Sequence, residues 1–152
     1  MQVSAGAQAL QLFDSWVGCL GPNDYEKYIL PYSRRVFEGL KDTGVPIINF
    51  STGTSTMLDL VQKAGGDVLS FDWRIEMDTA RALLGKDQPV QGNLDPVTLF
   101  GPLPLIRERV HDILKRSGGK GHIFNLGHGI LQHTPVEHVK AVVDMVHEYK
   151  HE

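Results

Sequence analysis

The sequence predicts an α/β fold of parallel strands joined by helical crossovers, and three observations predict it. Five short apolar runs punctuate the chain, each too brief for a helix and bounded by Gly, Pro or Asp. Segments with helical period lie between them, an alternation that argues for a parallel sheet. A polar or glycine-rich cluster follows each run at once, as expected where parallel strands all end on the same side.

The runs cover residues 7–13, 45–50, 67–71, 89–92 and 122–126. The second and third are nearly all apolar and rich in β-branched or aromatic residues, as strands buried on both faces would be. The fourth is weak by itself and is assigned by its position. Among the helical segments, residues 24–40 carry Tyr25, Tyr28, Ile29, Tyr32, Val36, Phe37 and Leu40 at spacings of three and four, with Gly44 as a stop. Residues 54–64 place Met57, Leu58, Val61 and Ala64 on one face, ahead of Gly65 and Gly66. Residues 103–115 repeat the pattern with Ile106, Val110, Ile113 and Leu114 and end at Gly118. The last helix is expected to open with a capping box: Thr134 as N-cap, Pro135 at the first position, and Glu137 three residues after the cap. Val136, Val139, Val142, Val143 and Val146 form its apolar face.

Composition narrows the function classes. With 152 residues, 41% hydrophobic and 22% charged, the chain has the size and balance of one compact globular domain, not of a disordered tail, a fibre or a disulfide miniprotein. A net charge of -3 supplies no global positive field for nucleic acid or anionic lipid. The single cysteine, Cys19, allows neither an internal disulfide nor a thiolate-rich metal site, which fits a reducing compartment. No apolar run approaches the roughly 18 residues of a membrane-spanning helix. The opening residues lack the basic start and apolar stretch of a secretion signal. A cytoplasmic protein is the expectation.

Three polar clusters stand within longer motifs. Leu10-Gln11-Leu12-Phe13-Asp14-Ser15-Trp16, Gln91-Gly92-Asn93-Leu94-Asp95-Pro96 and Asn125-Leu126-Gly127-His128-Gly129, with the ending Thr134-Pro135-Val136-Glu137-His138-Val139, resemble the uroporphyrinogen decarboxylase family in order along the chain. The resemblance implies a partial (β/α)8 TIM barrel of about five parallel β/α units, strands four to eight. Residues 1–152 would then be the C-terminal part of a barrel more than twice this length. It also implies that an arginine-rich segment, a catalytic aspartate for the pyrrole nitrogens and a cleft tyrosine belong to a portion with no counterpart here.

The implied reaction is cofactor-independent decarboxylation of the acetate arms of uroporphyrinogen, giving coproporphyrinogen, a step of tetrapyrrole and heme biosynthesis. The pyrrole serves as its own electron sink, so the protein must supply proton donors, hold cationic ring character and neutralise many carboxylates. From the family motif, Ser15 and His128 carry over as substrate-binding residues. A histidine can offer a hydrogen bond or a charge to a carboxylate near neutral pH. Read without the resemblance, Ser15 is an ordinary strand-end hydroxyl or N-cap, and His128 a polar loop residue.

Other polar positions read as structural. Asp14 would repel an octa-anionic substrate and is expected to make an internal hydrogen bond. Asn93 and Asp95 read as a turn that caps a helix opening at Pro96. Arg74, in the cluster Asp72-Trp73-Arg74, matches no family functional position and reads as a surface arginine. The cluster Ser51-Thr52-Gly53-Thr54 reads either as an anion cradle at a helix start or as an ordinary cap. The seven histidines form no metal motif; His133 and His138 flank the cap, and His147 and His151 stand four apart without a third ligand. The seven arginines do not cluster at strand ends, so the clamp expected for a polyanion would come from the other portion.

Two alternatives stand beside this reading. Zinc-dependent corrinoid methyltransferases share the barrel superfamily but need His-x-Cys where this chain has Asn49-Phe50-Ser51, and a Cys at position 128. A non-catalytic, self-associating partial barrel is the other, because five strands leave two open edges and an uncovered inner face. The open edges also make a homo-oligomer the expectation.

Overall fold

The computed structural model describes residues 1–150. Strands β1 (Leu10–Asp14), β2 (Ile47–Ser51), β3 (Val68–Ser70), β4 (Val90–Leu94) and β5 (His122–Leu126) lie side by side in sequence order, every neighbouring pair parallel. Helix α1 (Pro22–Asp24), a π turn (Tyr25–Ile29) and α2 (Leu30–Leu40) link β1 to β2. Helices α3 (Leu58–Ala64), α4 (Met77–Leu84) and α5 (Leu103–Ser117) fill the next three crossovers, and α6 (Val136–Glu148) follows β5. Consecutive strand order with a helix after every strand is the winding of a barrel wall rather than of a doubly wound sheet. No helix among the described residues is long and apolar enough to cross a membrane.

The sheet is strongly curled. Gln91 of β4 donates from Nε2 to Gln11 Oε1 of β1 at 3.2 Å. In a flat sheet these strands would stand three spacings apart, roughly 14 Å, beyond the reach of two glutamine side chains. The five strands therefore form part of a barrel, as expected from the motifs.

Alternation divides the strand residues between two faces. Leu10, Leu12, Ile47, Leu69 and Val90 point to the helices and join a core with Phe37, Leu60, Val61, Met77 and Ala80. Leu94, Phe124 and Leu126 pack with Ile106, Val110, Leu114, Val142 and Met145 in a second cluster under α5 and α6. Val90, Ile106 and Val110 are completely buried. Burial of such a side chain stabilises the fold by about 1.5–3 kcal/mol. Gln11, Phe13, Ile48, Phe50, Ser70, Gln91 and Ile123 occupy the opposite, inner face.

Several local expectations differ from what is observed. Tyr28, Tyr32, Val36, Val136 and Val143, expected on apolar helix faces, are exposed, and four differences concern where elements start or whether they form. Strand β1 starts at Leu10 rather than at residue 7, because pairing begins only where Ile47 stands opposite. Helix α3 starts at Leu58 rather than 54, since residues 51–54 are drawn into a turn by a 2.8 Å bond between Ser51 Oγ and Thr54 Oγ1. Helix α4 has no counterpart among the helical segments inferred above. Its buried Met77, Ala80 and Leu84 are helically spaced but sparse among Asp78, Thr79 and Arg81. The capping box does not form. Thr134 Oγ1 instead accepts from the Leu131 amide at 3.1 Å, while Glu137 pairs with Lys140 at 3.0 Å, and α6 opens behind Pro135. The hydroxyl is committed to the preceding turn and cannot serve the helix.

Candidate functional site

All five strands end on one rim, where the polar clusters gather. The inner face below it is mixed: Gln91 Nε2 also donates to Ser70 Oγ at 2.9 Å, and the rings of Phe13 and Phe50 meet edge-on with centroids 5.3 Å apart. Phe13 remains 65% exposed, so a large apolar surface faces the barrel interior. Phe50 continues the contact to His128, ring centroids 6.4 Å apart. A residue past the edge strand β5 thus meets, through Phe50 of β2, the ring of Phe13 in the other edge strand β1. Ser15, half-buried two residues after Phe13, is fixed through its backbone carbonyl, which accepts from Thr52 Oγ1 at 2.7 Å. His128 is exposed at the same rim, past β5.

One carboxylate organises the loops between them. Asp72, 2% exposed, accepts from the Gly53 amide at 2.6 Å and from the Arg74 amide at 3.1 Å, and forms an ion pair with the Arg74 guanidinium. Asn93 Nδ2 donates to the carbonyls of Asp72 (3.1 Å) and Ile75 (2.7 Å), joining the β4 loop to the β3 loop. Gly127 packs so closely on this loop that a Cβ there would stand 2.8 Å from the Trp73 nitrogen and 2.9 Å from Asp72 Cα. Gly18, after β1, is likewise required, since its Cβ would meet the Thr52 carbonyl oxygen at 2.2 Å. The loops after all five strands are therefore locked together by backbone contact and a single buried charge.

The other candidate positions resolve as follows. Asp14 turns away from the inner face and lines a cavity of about 160 Å³ between sheet and helices with Tyr25, Ser33 and Asn49. Burial, with the Asp14 charge adding to it, pushes the Tyr25 hydroxyl up to about 12 against a hydrogen bond to Ser33 that pulls the other way. Asp95 caps the 3-10 turn Pro96–Phe100 by accepting from the Val97 amide at 2.9 Å, as its sequence context suggests. The residues 51–54 offer no anion cradle through Gly53, whose amide is held by Asp72. Asn49 donates to the carbonyls of Val61 and Gly65 in the helix layer. His138 Nδ1 bonds the Leu99 carbonyl at 2.7 Å, a structural contact. His151 lies outside the described residues.

Two residues of the rim do not stand out in the sequence: Asp72, which accepts from the Gly53 amide of another loop as well as from Arg74 of its own, and Arg74. The latter is more than a solvated surface arginine, since it is paired with Asp72 and its Cζ sits 4.7 Å from the Trp73 ring centroid. The local signal was the Asp-x-Arg spacing after a strand, which permits the Asp72 side chain to accept from the amide two residues on.

A curled wall of parallel strands with its polar loops interlocked at the carboxyl ends defines part of an α/β barrel, of the architecture that holds ligands at that rim. The fold comparison agrees: a methyltransferase from Methanosarcina mazei superposes with a TM-score of 0.83 over 96% of this chain and 43% of its own, at 21% identity. The chain belongs to the uroporphyrinogen decarboxylase (URO-D) family, whose model matches residues 1–149. It is 57% identical over 148 residues to a uroporphyrinogen decarboxylase of Carboxydothermus hydrogenoformans, covering 97% of this chain and 42% of that protein. A uroporphyrinogen decarboxylase of Solibacter usitatus is 55% identical over 150 residues (98% and 44%), and one of Thermus thermophilus 53% over 148 (97% and 43%). The chain therefore spans less than half the length of the curated relatives it matches.

Proposed function

We propose that residues 1–152 are the C-terminal part of a uroporphyrinogen decarboxylase-like barrel that removes CO2 from the acetate arms of uroporphyrinogen, without a cofactor, in the cytoplasm. The observation that carries this reading is the chain of aromatic contacts from Phe13 through Phe50 to His128, with Ser15 two residues beyond Phe13 along the chain. A tetrapyrrole is a broad apolar body fringed with carboxylates, and aromatic rings with polar neighbours complement it.

In this mechanism a proton added to the ring carbon beside an acetate arm makes the pyrrole electron-poor. The C–C bond to the carboxylate then breaks, its electron pair flows into the ring, and CO2 leaves. A second proton converts the resulting methylene into a methyl group, and the ring carbon then gives up the first proton, which restores the neutral pyrrole; the net uptake is one proton per CO2 released. The role of this chain is binding: the Ser15 hydroxyl and the His128 ring each hold a carboxylate arm, while the phenylalanine rings exclude water from the macrocycle face. The catalytic aspartate and the arginine-rich segment belong to the other portion, so this chain alone is expected to be inactive.

The exposed Phe13 and Ile123 (46%) on the inner face, together with the free edges of β1 and β5, favour association and support the expected homo-oligomer. Size exclusion combined with a decarboxylation assay, with and without the amino-terminal portion of a relative, separates the readings. Coproporphyrinogen formed only by the combined portions is the expected result. Turnover by the chain alone as a monomer contradicts the division of roles, and association without any turnover in combination favours a non-catalytic partial barrel.

A further inference from the structure

We infer that Arg74 is a substrate-binding residue that presents its free guanidinium edge to a carboxylate arm at the rim, an assignment that rests on the tetrapyrrole reading above. Three contacts hold the side chain in place. Its amide and one guanidinium nitrogen are taken by the buried carboxylate of Asp72, and the guanidinium plane lies over Trp73. Trp73 in turn is pressed against Gly127, the residue before His128. The guanidinium is thus tied to the same interlocked loops that carry His128, not extended into solvent on a mobile stem.

The side chain is nonetheless 53% exposed. Only Nη1 contacts Asp72, which leaves Nε and Nη2 without a partner among the described residues. An arginine fork with one tine anchored and the other open has lost its rotamer freedom before a ligand arrives, so less entropy is lost per bond formed to a carboxylate. Arg74 is the only arginine placed directly after a strand; the others lie on helices α2, α4 and α5. Because Asp72 offsets much of its charge, Arg74 acts through directed N–H donation rather than through a long-range field, and its contribution is correspondingly moderate.

Uroporphyrin, the stable octa-anionic macrocycle, is the probe. Its binding is followed by its own absorbance and fluorescence, in the full chain alone and together with the amino-terminal portion of a relative. The parent, Arg74→Lys, Arg74→Ala and the double variant Asp72→Asn/Arg74→Ala are compared. The double variant removes the buried charge together with its partner, so a loss of affinity there does not stem from an uncompensated carboxylate. The expected result is affinity about three- to tenfold weaker in Arg74→Ala and in the double variant, a smaller loss in Arg74→Lys, and a shallower salt dependence in all three. Equal affinity in the parent and the double variant overturns the assignment and leaves the decarboxylase reading standing. A parent that binds no uroporphyrin in either form overturns both.

Discussion

The side of the sheet that meets the helices carries Leu10, Ile47, Leu69, Val90 and Leu94, all packed into closed apolar clusters. The inner side carries Gln11, Ser70 and Gln91 beside a largely exposed Phe13 and a half-exposed Ile123. Both sides are built by the same five strands, so alternate residues of one strand serve different ends. The helix-facing positions supply the stability of the chain, and the inner positions leave apolar and polar groups available to something that is not part of this half of a barrel. The interlocked rim is the exception on the inner side: it is polar, yet Asp72 and Asn93 are as buried as the core. Rigidity there is achieved with hydrogen bonds rather than apolar contact.

The contrast is broken or sharpened by substitution. Ile106→Ala, in the completely buried helix layer, is expected to cost about 2–5 kcal/mol in urea unfolding, whereas Ile123→Ala on the inner side should cost under about 1 kcal/mol. Equal losses would mean that the inner face is as closed as the outer one.

The next largest effect is on pH dependence. In the helix layer, burial together with the Asp14 charge pushes the Tyr25 hydroxyl up from its usual 10 to about 12. The native state therefore holds this proton more tightly than the unfolded chain does. The associated stability is fully present below pH 10 and is lost as pH rises through about 12. Denaturant midpoints measured across that window should fall in the parent and fall less in Tyr25→Phe.

At the rim, His128→Asn should lower decarboxylation by the combined barrel about tenfold, some 1.4 kcal/mol of transition-state binding, while shifting stability by less than about 0.5 kcal/mol. Initial rates and thermal melts on the same preparation check this. The smallest effect is expected for Glu137→Ala. Its partner is the exposed Lys140 and not the start of α6, so the melting temperature should barely move. A clear drop would restore the capping box.

The sequence disclosed the repeating units better than their joints. Strand β5 has its expected limits because Gly121 and Gly127 bracket an unbroken run. Of the five valines expected on the apolar face of α6, by contrast, only Val139, Val142 and Val146 pack inward, Val136 and Val143 being exposed and Met145 taking their place. Helix α4 escaped because eight residues with three buried positions give too little periodicity. The capping box failed because Thr134 has two possible neighbours, and local pattern does not decide between Leu131 and the helix. Ser15 and His128 are proposed from the family motif, not from chemistry visible in the chain. Asp72 stayed hidden because its bond to Gly53 spans 19 residues, and no spacing rule tells which loop amides a strand-end carboxylate will meet. The curl of the sheet that brings Phe50 to His128 is equally a property of the assembled wall.

The most direct test fuses the amino-terminal portion of the Carboxydothermus hydrogenoformans relative to this chain and measures coproporphyrinogen formation by the parent fusion, Ser15→Ala and His128→Asn. An active parent, with each variant reduced about tenfold at unchanged melting temperature, is the expected outcome. An inactive but folded parent fusion, or variants that turn over as fast as the parent, would contradict the account.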